Sequence, residues 1–454
     1  MRVSIFAVLT LFATPSIHAF APSGNARIAN THSSSLFSYV DVTESAQRNL
    51  GPFDEWATNC GVQRAEGFQL TSEDGMDWSV MTNVDLPAGS PVLAVPAGMI
   101  MTTSSAKAEL EEMSGGGVQA AVDQLGKIGA AQSIPKFYLF LKMLVEFERG
   151  EESPYFPWMD SLPRLYYNSV SMTDFCYECL PPLVFSLSRV ERVKFDNFFQ
   201  VLQKVDIVSD ELKEERELCK WAFNAMNTRC WGELGGEQKL VPMGDMFNHG
   251  TDVEVEITFD DEGNCNAFTT YDVPAGSPLR MSYGCPTNPS HFFATYGFLD
   301  ESSPATFCKI MNIQSTPELV DIGFDFSRML FYKDSGDISE EVWDVMLYSK
   351  VLAMKPDVKQ QFYDAHMSGD IDLKRAIHQE YMLETSTELK NHVDTFLTQL
   401  DILSAKGDGK DLNEHPRLPL ILKHNEFVKQ TFLNVKARLD PMVAQVTEER
   451  AALV

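Results

Sequence analysis

Residues 253–259 alternate between apolar and polar side chains, and this pattern predicts a short strand with one buried face. The apolar members are Val253, Val255, Ile257 and Phe259. A shorter apolar stretch, residues 92–95, predicts a second strand nearer the N-terminus. Strand character therefore occurs in two regions that are far apart in the sequence.

A short sequence that contains Pro-Ala-Gly occurs beside both regions, at residues 85–92 and again at 272–279. Proline fixes φ and glycine supplies a positive φ, so each copy predicts a turn between two strands. Two copies are too few for a repeat array. We expect them to form equivalent edges of two small sheets.

Helical periodicity dominates the rest of the chain. Pro135 suits a first helical turn, and the apolar residues at 137, 141, 144 and 145 then share one face. This helical character extends to about residue 220 and returns from about residue 304 to the end. Two apolar stripes in the second region predict helices that pack into a core. They are Trp343, Leu347, Val351 and Met354, and Val428, Phe432, Val435 and Leu439.

The order of elements is therefore strands, a helical insert, strands and a helical tail. Strands and helices do not alternate, which argues against a doubly wound fold. No glycine-rich dinucleotide-binding motif follows a strand, and no P-loop sequence occurs. The pattern predicts an α+β protein in which small sheets accompany a largely helical chain.

The composition indicates a folded protein with a strongly acidic surface. The chain has 454 residues, 44% of them apolar and 22% charged, which provides ample material for a core. Its formal net charge is −27. Such a charge repels phosphate backbones, so we expect no nucleic-acid partner. Simple solubility accounts for the charge, and a basic protein partner would also suit it.

The N-terminus is typical of a targeting segment. An apolar run of about 11 residues after Arg2 is too short to span a bilayer but fits a signal peptide over residues 1–19. Residues 20–40 contain no acidic side chain and are rich in Ser, Thr, Ala and Asn, as in transit peptides. The Ala19-Phe20 junction resembles the cleavage motif of bipartite plastid presequences. We predict delivery to the plastid stroma, with secretion as the alternative.

The cysteines do not predict a metal site. Cys176 and Cys179 form the one CxxC sequence, and neither a second CxxC nor a suitably spaced histidine pair accompanies it. We expect no metal and free, buried thiols in a reducing compartment. No other apolar run approaches membrane-spanning length, so we expect the processed protein to be soluble and to have no membrane contact.

Three short segments carry the residues most suited to chemistry. The first places Asp245, Asn248 and His249 within five positions, beside glycines and a proline. Buried Asn and His need hydrogen-bond partners, so this cluster either fixes a turn or binds a polar ligand. The second segment has Tyr283 and Tyr296, each followed by glycine. The third is Glu66, Gly67 and Phe68 near the first strands.

Together these segments resemble the SET-domain protein methyltransferases, in particular the class of the Rubisco large-subunit methyltransferase. That class has a Glu-Gly element, an Asp-x-x-Asn-His element and a tyrosine before Tyr-Gly-Phe, and this chain has them in the same order. Residues 153–163 resemble the insert signature of the family. The resemblance implies a SET domain over residues 50–303, with a helical insert at about 106–218, and an all-helical substrate-binding-like domain over 304–454.

The resemblance also implies roles for individual residues. Tyr283 is the expected catalytic tyrosine. The cofactor S-adenosylmethionine is expected to bind at Glu66, Gly67, Phe68, Asn248 and His249. The pocket between cofactor and acceptor is expected to include Arg229, Asp245 and Tyr296.

The implied activity is N-methylation of a lysine on a plastid protein. Two alternatives remain: a histidine acceptor, as in related actin-histidine methyltransferases, and a non-catalytic SET-fold module that binds a partner protein. Gln69 and His291 differ from the family pattern and motivate the second alternative. A methyl transfer needs alignment of donor and acceptor and exclusion of water rather than a strong acid, because the sulfonium leaves as a neutral thioether.

Overall fold

The computed structural model describes residues 39–284 and 289–452. The predicted signal peptide and nearly all of the predicted transit segment therefore lie outside the described residues. The strands are short. They are β1 (Gln63–Arg64), β2 (Phe68–Thr71), β3 (Ser79–Thr82), β4 (Pro91–Val95), β5 (Met101–Thr102), β6 (Cys230–Trp231), β7 (Lys239–Leu240), β8 (Val255–Phe259), β9 (Cys265–Thr269), β10 (Ala305–Phe307) and β11 (Leu330–Tyr332).

Helices make up most of the described chain. One precedes the first strand, eight form the insert between β5 and β6, one follows the last strand of the β core, and the others form the C-terminal region. They are α1 (Leu50–Asn59), α2 (Thr103–Met113), α3 (Gly117–Lys127), α4 (Ile134–Glu148), α5 (Phe156–Ser161), α6 (Asp174–Glu178), α7 (Pro182–Leu202), α8 (Asp210–Glu214), α9 (Arg216–Arg229), α10 (Pro289–Tyr296), α11 (Pro317–Ile322), α12 (Glu340–Met346), α13 (Pro356–Ser368), α14 (Ile371–Glu380), α15 (Met382–Ala405) and α16 (Leu418–Ala452).

The β core consists of small antiparallel sheets. The largest has the strand order β1-β4-β9-β8, and β2-β3 and β5-β7-β6 form two others. The alternating segment forms β8 as predicted, although the strand begins at Val255 rather than at Val253. Val255 is buried while Glu256 is exposed, so the alternation separates a core face from a solvent face.

The two Pro-Ala-Gly segments pair with each other, so the expectation that they form edges of two separate sheets is wrong. Leu86 and Val273 exchange main-chain hydrogen bonds at 2.8 Å in both directions. The Asp272 carboxylate accepts a bond from the Ala88 amide, and the Asp85 carboxylate accepts one from the Ala275 amide, both at 2.8 Å. The symmetric pairing joins the N-terminal and C-terminal halves of the β core.

The insert and the β core share one hydrophobic core. The α4 helix is buried on all sides from Phe137 to Glu146, because it lies between other helices rather than at the surface. The sequence predicted a single buried face for α4, whereas the structure buries every face of this part of the helix. A second core cluster fills the C-terminal region, and it includes residues from α12, α15 and α16.

The C-terminal region is helical as predicted, and the structure adds the small β10-β11 sheet to it. The stripe from Val428 to Leu439 is confirmed, since all four of its side chains are buried in α16. The stripe that begins at Trp343 is confirmed for Trp343, Leu347 and Val351, which pack in or against the core, and is wrong for Met354, which is 91% exposed. A π-helical turn at Leu347–Val351 follows α12 and shifts the faces of the helix, and the helix then ends.

The first described residues pack against the insert. Tyr39 stacks on Phe147 with ring centroids 5.7 Å apart, and Val40 is buried. Both residues fall at the end of the expected transit segment, so removal of residues up to 40 would cost these contacts.

Candidate functional site

Two loops cross beside the β core and form the centre of the site. The main chain at residues 248–250 runs parallel to the chain at 281, with Met281 N–H donating to the Asn248 carbonyl at 2.9 Å and Gly250 N–H donating to the Met281 carbonyl at 3.0 Å. The pairing brings the Asn-His segment next to Tyr283, although 34 residues separate His249 from Tyr283 in the sequence.

Both the hydroxyl and the main-chain N–H of Tyr283 form hydrogen bonds. Its hydroxyl donates a hydrogen bond to the Phe247 carbonyl at 2.7 Å, and its main-chain N–H donates to His249 Nδ1 at 3.1 Å. Burial raises the pKa of the Tyr283 phenol above its usual value. The phenol therefore stays protonated at neutral pH, where it can orient a polar group but cannot act as a general base.

Aromatic rings surround the Tyr283 phenol. The Tyr296 ring centroid lies 5.0 Å from that of Tyr283, and Phe298 lies 6.2 Å from it. Tyr296 ends α10, and burial raises the pKa of its phenol as well. The structure thus brings Tyr283 and Tyr296 together, as the sequence motifs imply, in a mainly apolar enclosure with two hydroxyl groups.

Asn248 contributes its main chain to the crossing and leaves most of its side chain available. Its carbonyl accepts the Met281 bond, while its side-chain Nδ2 lies 3.4 Å from the Trp78 carbonyl, which is long for a hydrogen bond. The side chain is therefore only weakly committed to the fold and could bind a ligand.

Asp245 and Arg229 form a buried ion pair next to this crossing. Arg229 Nη1 donates to the Asp245 carbonyl at 2.7 Å and lies 3.1 Å from Asp245 Oδ2, which also accepts from Trp158 Nε1 at 3.0 Å. Burial alone would lower the pKa of Arg229, but Asp245 outweighs it and the pKa is raised. Arg229 therefore stays charged.

Three polar atoms in this cluster are buried and have no hydrogen-bond partner within the described chain. They are Arg229 Nε, Asp245 Oδ1 and the Tyr166 hydroxyl. Unpartnered buried polar atoms are costly, so their concentration at one place indicates room for a polar ligand. Arg229 Nε is a donor, Asp245 Oδ1 is a charged acceptor, and the Tyr166 hydroxyl, which faces the Arg229 side chain, can donate or accept. This set suits a ligand with both an anionic and a cationic group.

Arg48 belongs to the same cluster, and no sequence motif indicated it. Its guanidinium donates to the Ser161 carbonyl at 2.7 Å and to the Met76 carbonyl at 2.8 Å. Burial, together with the nearby charge of Arg229, lowers the pKa of Arg48 to about 9. Burial also raises the pKa of Asp77, although Arg48 opposes it. A single arginine before the first helix carries no local pattern, which explains why it was missed.

Glu66 and Gly67 form the turn between β1 and β2, and Phe68 begins β2. Gly67 has φ of +86°, and a Cβ there would lie 2.6 Å from Asn83 Oδ1, so the turn itself requires glycine. The Phe68 ring meets Phe247 edge to face at 6.2 Å. Phe68 thus reaches the loop that accepts the Tyr283 hydroxyl, whereas Glu66 is exposed.

A cavity of about 360 Å³ lies on the β6-β7 hairpin that follows Arg229. Trp231 and Phe259 form its aromatic walls, and Glu233 and Glu237 add acidic groups. Lys239 Nζ lies 3.6 Å from the centre of the Phe259 ring, so a cation already covers one wall.

The described residues contain neither a metal-binding cluster nor a membrane-spanning helix. Across residues 39–284 and 289–452, no three side chains of the His, Cys, Asp or Glu type lie together as a metal site. Cys176 and Cys179 are buried thiols in the joint between the insert and α16. Within the same part of the chain, no helix combines the length and the apolar composition needed to cross a bilayer.

The crossed loops beside small antiparallel sheets, with a helical insert and a helical C-terminal region, define the SET fold. Solved structures of Rubisco LSMT have this fold. The chain aligns with Rubisco LSMT bound to AdoMet at a TM-score of 0.57 and 15% identity, covering 87% of this chain and 92% of that one. The chain aligns with Rubisco LSMT bound to sinefungin and monomethyllysine at a TM-score of 0.55 and 16% identity, covering 87% of this chain and 92% of that one.

The SET domain of LSMT bound to MeLysine and AdoHcy aligns at a TM-score of 0.57 and 15% identity, over 89% of this chain and 94% of that chain. No protein-family model matches this chain, and no curated protein matches its sequence. The fold predicted from the resemblance is therefore confirmed, and at this identity the likeness concerns the fold.

Proposed function

We propose that the protein is an S-adenosylmethionine-dependent protein-lysine N-methyltransferase. The observation that carries the proposal is the position of Tyr283 inside an aromatic enclosure at the crossed loops, where its hydroxyl donates to the Phe247 carbonyl and its main-chain N–H donates to His249 Nδ1. A protonated phenol in a fixed orientation beside main-chain carbonyls can align an amine with a polarised methyl group. The neighbouring Rubisco LSMT structures, which carry AdoMet, AdoHcy, lysine or methylated lysine, support the same chemistry.

The residues present fit the proposed cofactor. Its amino-acid end carries a carboxylate and an ammonium group, which match the unpartnered Arg229 Nε, Tyr166 hydroxyl and Asp245 Oδ1. Asn248, with its weakly committed amide, and the Phe68 ring are the groups that would hold the nucleoside part, near the Glu66-Gly67 turn. The cofactor supplies a methyl group on a sulfonium, and this chain supplies the binding and the alignment.

The chain has three tasks in this reaction. The apolar rings of Phe292, Tyr296 and Phe298 exclude water and favour the neutral form of an acceptor amine, because burial disfavours its charge. The Tyr283 hydroxyl orients that amine. The Arg229-Asp245 pair would hold the charged end of the cofactor, and the acceptor amine would release its proton to solvent before it enters the enclosure.

The substrate that we propose is a protein that presents a lysine to this acidic surface. A net charge of −27 would attract a basic segment and repel nucleic acid. The test is transfer of a labelled methyl group from S-adenosylmethionine to peptide arrays that display lysine or histidine in basic sequences. Label on lysine peptides supports the proposal, label on histidine peptides supports the alternative acceptor, and cofactor binding without label supports a binding module.

The site of action that we propose is the plastid stroma. The support is the acid-free segment after Ala19 together with the aromatic residue Phe20, both outside the described residues. A fluorescent protein fused after residue 38 should enter the plastid, and the Phe20→Ala version should stop before the stroma. Arrival of both fusions in the stroma would contradict the role of Phe20, and secretion of both would contradict the location.

A further inference from the structure

Asp300, four residues after Tyr296, presents a nearly buried carboxylate to the back of the site. Its side chain is 9% exposed. Oδ2 accepts a hydrogen bond from the Thr251 hydroxyl at 2.8 Å, and Oδ1 accepts from the Ser302 N–H at 3.0 Å and from its hydroxyl at 2.5 Å. Burial alone would raise the pKa of Asp300, but these bonds outweigh it and hold the pKa below its usual value. The carboxylate is therefore ionised at neutral pH.

The imidazole of His249 lies between this carboxylate and Tyr283. His249 Nε2 is 3.5 Å from Asp300 Oδ2, and His249 Nδ1 accepts the Tyr283 main-chain N–H at 3.1 Å. A main-chain amide can only donate, so Nδ1 carries no proton. Burial lowers the pKa of His249, which keeps the ring neutral, although Asp300 opposes the shift. The single ring proton therefore sits on Nε2, which is buried, forms no hydrogen bond within the described residues and has Asp300 Oδ2 at 3.5 Å.

The surrounding rings restrict how this imidazole can turn. Phe292 lies 4.4 Å from the His249 ring centroid and Phe298 lies 5.7 Å from it. The opposite tautomer would place a proton on His249 Nδ1, where it would clash with the Tyr283 N–H. It would also leave an unprotonated Nε2 facing the Asp300 carboxylate, so that two acceptors repel each other. The 3.5 Å separation is long for a hydrogen bond, and catalytic contacts of this kind often tighten when ligands bind.

We infer that Asp300 is a positioning residue for Tyr283, acting through the tautomer and orientation of His249. The inference rests on the proposed function. Tyr283 donates one hydrogen bond from its hydroxyl to the Phe247 carbonyl and another from its main-chain N–H to His249 Nδ1. A change in the tautomer or orientation of the His249 ring therefore displaces the Tyr283 phenol, which aligns the acceptor. A carboxylate behind a functional histidine fixes tautomer and direction without touching the reacting atoms.

The kinetic test compares Asp300→Asn with a matched control, Asp325→Asn. Asp325 makes the same local turn, since its Oδ1 accepts from the Ser327 N–H at 2.7 Å and from its hydroxyl at 2.5 Å, but it lies outside the site. Asp300→Asn should lower the single-turnover rate about 10- to 100-fold with cofactor Kd unchanged. Asp325→Asn should stay within about twofold of the parent, and Asp300→Glu should recover part of the rate.

A double-mutant cycle tests whether the effect passes through His249. In a His249→Gln background, Asp300→Asn should cause almost no further loss of rate, because the imidazole through which Asp300 acts is already absent. Losses that multiply independently would overturn the inference, as would an Asp300→Asn enzyme with the rate of the parent.

A spectroscopic readout separates this inference from the proposed function. Nitrogen NMR of histidine-labelled protein should show His249 protonated on Nε2 in the parent and in Asp325→Asn. It should show a mixture of tautomers in Asp300→Asn, because the new amide can donate to Nε2 and so compete with the Tyr283 N–H that donates to Nδ1. If the tautomer changes while the parent transfers no methyl group, the proposed function fails and the effect of Asp300 on His249 stands. An unchanged tautomer in folded Asp300→Asn protein, whatever its stability, overturns the inference.

Discussion

At the scale of single residues, the hydroxyl of Tyr283 has one hydrogen-bond partner among the described residues, the Phe247 carbonyl at 2.7 Å, and the ring is enclosed by other aromatic side chains. Tyr283→Phe removes that hydroxyl and keeps the ring, so the packing changes little. We expect the rate of single-turnover methyl transfer at saturating cofactor to fall about 10²- to 10³-fold, because a preorganised polar group is lost from the transition state. Cofactor affinity should change much less.

The matched control is Tyr296→Phe, which removes the other hydroxyl of the same enclosure. It should alter the rate, or the number of methyl groups added, more mildly than Tyr283→Phe. A Tyr283→Phe enzyme within a few-fold of the parent would remove Tyr283 from the catalytic role. Loss of cofactor binding in step with the rate would instead indicate a binding role for the phenol.

The sequence predicted the residues of the site that occur in compact motifs. Asp245, Asn248 and His249 lie within five positions, and their chemistry is visible without a fold. Arg48 and Tyr166 reach the Arg229-Asp245 cluster through tertiary packing alone, and neither stands in a local pattern. A buried charge cluster assembled from distant segments has no periodicity to detect, so a single sequence does not reveal it.

At the scale of elements, the turn after α10 depends on a glycine that fits against the insert. Gly297 has φ of +82°, and a Cβ there would lie 2.3 Å from the Asn168 main-chain nitrogen. Gly276, in the second Pro-Ala-Gly turn, has the same φ of +82° and no heavy atom within 4 Å of that position. Alanine substitutions at the two glycines therefore separate two contributions to the free energy of unfolding. One is the cost of a positive φ, which both share, and the other is the cost of the close contact, which only Gly297 has.

Gly276→Ala should lower the free energy of unfolding by about 1–2 kcal/mol, the cost of a left-handed conformation for alanine. Gly297→Ala should lower it by about 1–3 kcal/mol more, because the added methyl group meets main-chain atoms that cannot move aside easily. Denaturant unfolding of the two variants measures both losses in the free energy of unfolding. Equal losses would show that α10 is not locked against the insert at this point.

The elements predicted best were those with an uninterrupted period. The β8 strand and the α16 stripe follow from periods of 2 and 3.6, and both were confirmed apart from the start of β8. The stripe that begins at Trp343 was confirmed for its first three members and failed at Met354, because the π-helical turn at Leu347–Val351 changes the period and the helix then ends. The pairing of the two Pro-Ala-Gly segments was missed because local turn chemistry does not say which partner a segment meets.

At the scale of the whole molecule, the β core meets the C-terminal region at a joint that contains a buried lysine. Lys309 is 3% exposed and has φ of +60°, and its Nζ donates to the Ser290 hydroxyl of α10 at 2.8 Å. That hydroxyl lies 3.2 Å from His424 Nε2 of α16. The joint therefore connects the helix that carries Tyr296 to the long C-terminal helix.

Within residues 39–284 and 289–452, the titratable groups that face Lys309 provide no negative charge to balance it. They are the Cys308 thiol and the imidazole of His424, and the His392 ring of α15 bonds the Cys308 carbonyl at 2.8 Å. Burial raises the pKa of the Cys308 thiol, so the thiol stays neutral. Burial, with Lys309 nearby, lowers the pKa of His424 to about 3, so His424 is neutral as well. Burial lowers the pKa of Lys309 itself to about 7.

The pH dependence of stability should therefore carry a contribution from Lys309. Between pH 7 and the ordinary lysine pKa near 10.4, the unfolded chain holds a proton that the folded chain lacks, so stability from this group rises with pH. The limiting slope is about 1.4 kcal/mol per pH unit, and below pH 7 the contribution is constant because both states are protonated. Lys309→Met should flatten the rise in the free energy of unfolding between pH 7 and 9, while Lys423→Met, which alters an exposed neighbour of His424 paired with Glu301, should keep it. Denaturant unfolding at several pH values measures both, and parallel curves for Lys309→Met and the parent would show that Lys309 remains charged in the folded protein.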